Sequence, residues 1–94
     1  MSWVAPIQLT DVTLPEGDPK RVRKQYLARV HEKFHKHAYT CAFAPHLATK
    51  FLTKEEAEGA QLLAKSHVEA LPQAPEWTDF RWPTIELLPV EEVA

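Results

Sequence analysis

Ninety-four residues, 45% of them hydrophobic and 26% charged, suffice for one small domain and leave no room for a second core. A single cysteine excludes an internal disulfide framework, two glycines exclude a glycine-rich phosphate loop, and no window approaches the roughly 18 apolar residues of a membrane span. The net charge of -2 is unevenly placed, because Lys20, Arg21, Arg23, Lys24, Arg29, Lys33 and Lys36 face only Asp18 and Glu32 between Asp18 and Phe43, leaving the rest strongly acidic.

The N-terminal arm, residues 1–17, begins MSWVAPIQLT without the basic-then-apolar order of a secretory leader. Together with the lone cysteine this favours a soluble protein of a reducing compartment such as the cytoplasm. Ile7 and Leu9 alternate with polar residues, as pairing strands do. Gly17 ends the arm. Asp18 can then cap backbone amides and Pro19 suits a first helical turn, so a helix is expected from about 19 to 43. Val22, Tyr26, Leu27, Val30, Phe34 and Cys41 supply its apolar stripe at period 3.6.

A second helix is signalled more sharply. Thr53 and Glu56 form a T-x-x-E capping box, and Ala57, Ala60, Leu63, Ala64, His67, Val68 and Leu71 share one face until Pro72 halts the helix. The expected fold is therefore mainly α, with residues 1–94 as a single domain. An antiparallel two-helix hairpin, about 19–43 and 54–71, occupies 18–71, and extended Pro- and Trp-rich arms at 1–17 and 72–94 retain the capacity for short β pairing. Pro83 and Pro89 would confine the second arm to a sheet edge.

Within the first expected helix, HEKFHKHAYTC packs three histidines and the only cysteine into a short run. A regular helix would split these into His31 with His35 and His37 with Cys41, on different sides, so four ligands could not converge on one metal ion. Structural zinc would need His37, Cys41 and a residue from elsewhere such as His46, which leaves a small zinc-binding or redox-responsive domain as an alternative function. His37 and Cys41 also fail as a base and nucleophile, since one helix stripe supplies neither an oxyanion hole nor a cleft. Nucleic-acid binding through the basic first helix is a second alternative. It is weakened because Lys20 and Lys24 would lie nearly opposite Arg29, Lys33 and Lys36.

What remains is a non-enzymatic protein-protein interaction module with no cofactor, no catalytic residue and no small-molecule substrate. All three tryptophans lie in the arms, and WTDFRW concentrates the residue types enriched in interface hot spots. The candidate partner-binding residues are Trp3, Trp77, Phe80, Arg81, Trp82, Ile85 and Leu87. An accessory or structural subunit of a virion, a phage-encoded binder or a multisubunit complex fits this pattern, with its arms laid on neighbouring chains.

Overall fold

The computed structural model describes residues 1–30, 39–72 and 83–93. In chain order the elements are β1 (Ser2–Val4), β2 (Pro6–Thr10), β3 (Val22–Val30), β4 (Tyr39–Ala42), a 3-10 turn (Pro45–Leu47), α1 (Lys54–Ala70), β5 (Thr84–Leu87) and β6 (Glu91–Val93). Strands β4-β3-β2-β5 form a four-stranded antiparallel sheet, and β1 pairs β6 in a separate two-stranded sheet. The architecture is thus mostly β, and the expected two-helix hairpin is not formed.

The first expected helix is overturned by β3 and β4. Its start signals are genuine but serve turns: Asp18 Oδ1 accepts from the Lys20 amide at 2.8 Å, and Asp18 O accepts from Arg21 N at 3.0 Å. These are the bonds of an Asx turn and a β-turn, not of a helix cap. Two further turns, Leu14 N to Asp11 O at 3.2 Å and Asp18 N to Pro15 O at 3.1 Å, complete the β2–β3 connection, with Gly17 at φ 89°. Only glycine enters that backbone region without steric cost.

The helix-like spacing in VRKQYLARV has a physical origin. Tyr26 and Leu27 are adjacent, so a strand sends them to opposite faces, yet they are only 7% and 0% exposed because each face is covered there. Leu27 joins Ala5, Ile7 and Ile85 beneath Ala57, Ala60, Ala64 and Val68 of α1. Tyr26 packs with Val4 and Ala48, and Val93 lies against that smaller cluster. A strand covered on both sides at its centre loses the alternation that would have identified it.

Helix α1 stands where the capping box places it. Thr53 Oγ1 accepts from Glu56 N at 3.1 Å, while the Glu56 carboxylate accepts from Leu52 N at 3.2 Å. Its buried face is Ala57, Ala60, Gln61, Ala64 and Val68. Methyl-sized side chains let the helix lie close against the sheet.

The two arms pair with each other rather than standing apart. Ile7 lies opposite Leu87 and Leu9 opposite Ile85 in the β2–β5 ladder, and Ser2 to Val4 run against Val93 to Glu91 in the other. Each pairing partner breaks between its two strands, at Ala5 on one side and at Leu88–Val90 on the other, which divides one long ribbon between two sheets. Among the described residues, no helix is long and apolar enough to cross a membrane.

Candidate functional site

Where the paired arms meet α1, a groove of mixed polarity and about 470 Å³ forms, a volume in the range that binding sites occupy. One wall comes from β1. Trp3 is fixed by reciprocal backbone hydrogen bonds with Phe51, 2.9 Å from its amide and 2.8 Å to its carbonyl, and its half-buried side chain packs against the main core. The opposite wall is the helix stripe Lys54, Glu58 and Leu62, spaced one turn apart, with Gln61 beside Leu62. Leu87, Leu88, Pro89 and Val90 close the groove as a strap between β5 and β6.

Gln61 holds strap and helix together. It is 4% exposed, and its Nε2 donates to Pro6 O and to Leu88 O, each at 2.7 Å. Both amide protons are therefore committed to carbonyls of the protein. Proline begins β2, and Leu88 follows β5, so one side chain ties α1 to both arms. At the rim Lys54 Nζ lies 4.0 Å from the Glu58 carboxylate, with both side chains more than half exposed. Leu62 is 59% exposed beside them.

The groove gathers part of the predicted partner-binding set. Trp3 and Leu87 line it together, although they come from opposite ends of the chain. Ile85 is 6% exposed and belongs to the core under α1. Trp77, Phe80, Arg81 and Trp82 lie outside the described residues. Gln61, Leu62, Leu88, Pro89 and Val90 escaped the sequence reading. Gln61 could have been noticed as a polar residue set between Ala57, Ala60 and Ala64, and Leu62 as an apolar residue displaced from that stripe.

The alternative constellations are distributed differently. His31, His35 and His37 lie outside the described residues. Cys41 is on β4 and His46 in the 3-10 turn, both exposed, and among the described residues no three His, Cys, Asp or Glu side chains are grouped to hold a metal ion. Although Cys41 has an exposed surface, the protein around its sulfur pushes the thiol up to about 11 by desolvation, with Arg23 acting weakly in the other direction. A thiol so shifted is protonated near neutral pH and is a poor ligand or nucleophile.

The basic run is divided by the pleat of β3, which sends Arg23 and Lys24 to opposite faces. Lys24 Nζ makes a 2.6 Å ion pair with Glu91 and sits 5.3 Å from the centre of the Tyr26 ring. The Glu91 hydrogen bond, then the Tyr26 contact, hold the Lys24 ammonium above its ordinary pKa. In the β2–β3 connection, the Thr13 hydroxyl and amide both donate to Asp11 Oδ1, at 2.5 and 3.0 Å, and lower that carboxyl's pKa. Compared with protein-family models, curated proteins and solved structures, the chain matches none.

Proposed function

We propose that this chain is a non-enzymatic protein-protein interaction module, an accessory or structural subunit of a larger assembly. Its groove between α1 and the 87–90 strap takes an apolar segment of the partner. The observation that carries this reading is the convergence of Trp3 and Leu87 with Leu62, Leu88, Pro89 and Val90 in one groove. Rigid aromatic and aliphatic walls offer contact area at little entropic cost, and a polar rim of Lys54 and Glu58 suits the edge of a protein interface. Among the described residues, the polar side chain buried in the groove, Gln61, spends its donors on the fold. That favours recognition over chemistry. The same fixation keeps the groove preformed, which reduces what a partner loses in ordering it.

A photo-crosslinking amino acid placed at Leu62, in the organism that makes the protein, tests the reading. Leu62 is exposed, so the change leaves the core intact. A discrete crosslinked protein that disappears when Trp3→Ala is introduced into the same folded chain is the expected result. Crosslinks that are absent, or indifferent to Trp3→Ala, would remove the groove from the function.

A further inference from the structure

The two edges of the large sheet are built differently, and one of them is suited to a second copy of this chain. At the β5 edge, Pro83 and Pro89 bracket Thr84–Leu87 and Glu86 adds a charge, features that discourage strand addition. The β4 edge carries no charge, with Pro45 on one side of it only and a register shift between Leu27 and Arg29 in its ladder with β3. From Ala38 through Thr49 the sequence holds no Asp, Glu, Lys or Arg. Phe43, immediately after β4, is 77% exposed and Leu47 is 50% exposed.

The hydrogen-bond direction of β4 follows from its neighbour. Leu27 donates from its amide to Ala5 O at 2.9 Å and accepts at its carbonyl from Thr49 N at 3.1 Å, so both of its backbone groups point away from β4. In an antiparallel ladder the adjacent residue then points the other way. Tyr26 therefore bonds toward β4 and its register partner Ala42 bonds back, which turns the N–H and C=O of Cys41 outward. Among the described residues β4 is the outermost strand on this side, and no strand receives those groups.

We infer that the β4 edge is a homodimer interface, in which two copies pair antiparallel about a two-fold axis at Cys41 and join their four-stranded sheets into one. Outward-pointing residues must face outward-pointing residues, so the register centred on Cys41 gives the fullest overlap of 39–43. It sets Cys41 opposite Cys41, and position 39 opposite position 43 of the other copy. An uncharged strand meets itself without like-charge repulsion. A foreign strand would gain nothing from that neutrality that a second copy does not. The sheet order places this edge opposite β5, so dimerisation leaves the groove beside Leu87 open.

Analytical ultracentrifugation of the full chain under reducing conditions, from micromolar to millimolar, gives the first measurement. A concentration-dependent dimer is expected, and a monomer throughout overturns the inference. Substituting Cys41→Lys or Cys41→Glu places like charges together across the axis. Each variant alone should dimerise at least about tenfold more weakly. Mixing the two folded variants should restore the dimer as a heterodimer. If both variants dimerise like the natural chain, or their mixture stays monomeric, the axis does not pass through Cys41.

Discussion

The two faces of the large sheet obey different physics. Toward α1, Ala5, Ile7, Leu27 and Ile85 are sealed beneath four small helical residues, and the one polar intruder, Gln61, is fully engaged at its amide. On the other face, Gln8 meets Glu86 at 3.4 Å and Lys24 meets Glu91, all at exposed or half-exposed positions, and among the described residues the buried part is the small Tyr26 cluster. Stability therefore concentrates on one face. Polar contacts there are costly to disturb, whereas those on the other face compete with water and contribute little.

The largest expected effect comes from Leu27→Ala. Leu27 is 0% exposed in a core whose helix side is mostly alanine, so neighbouring atoms cannot readily fill the space. The loss should be about 2–5 kcal/mol in urea unfolding, a large part of a small domain's total stability. Val93→Ala, in the half-buried margin of the second cluster, should cost markedly less. Equal losses would erase the asymmetry between the faces.

Gln61→Leu ranks next. It offers an apolar side chain of similar reach but leaves Leu88 O without its donor and Pro6 O with only the 3.4 Å bond from Leu88 N, at about 1–3 kcal/mol. Gln8→Leu on the open face removes a 3.4 Å exposed bond and should change stability by less than about 0.5 kcal/mol. If Gln61→Leu proves neutral, the strap is held by packing and by the backbone bond from Leu88 N to Pro6 O. Amide exchange at Leu88–Val90 should rise in Gln61→Leu before the rest of the protein loosens.

Thr53→Ala should cost about 1 kcal/mol, because the Glu56 amide loses its hydroxyl acceptor. The retained Glu56 bond to Leu52 N limits the damage. Loss of helix signal at 222 nm ahead of global unfolding would mark fraying confined to the first turn.

Helix α1 was legible because its information is local. A cap, a stripe and a stopping proline lie within twenty residues, and packing reinforces each of them. The alternation of Ile7 with Leu9 and Ile85 with Leu87 likewise pointed to pairing, although not to the pairing of one arm with the other. The strand β3 was illegible for the opposite reason. What buries Tyr26 comes from Val4, Ala48 and Val93, all distant in sequence, and a chain of residues spaced four, one and three apart carries no trace of them. Richness in Val, Tyr, Thr and Phe across 22–43 was the available counter-signal. The groove was half visible in the same way, through Trp3 and Leu87, whereas Gln61 and the strap become functional only after the fold has joined the termini.

A further small effect tests the open face directly. Lys24→Met removes an ion pair whose partners are 49% and 39% exposed, so despite its 2.6 Å length it should contribute no more than about 1 kcal/mol. Because folding raises the Lys24 pKa, its contribution is complete below the ordinary lysine range and fades as alkaline pH carries the folded chain through the raised value. The difference between Lys24→Met and the natural chain should therefore shrink at high pH. It should shrink also in molar salt, where exposed charges are screened within about 3 Å. A difference insensitive to both would mean that Lys24 acts through its alkyl stem on the Tyr26 ring, making the open face more apolar in its energetics than its composition implies.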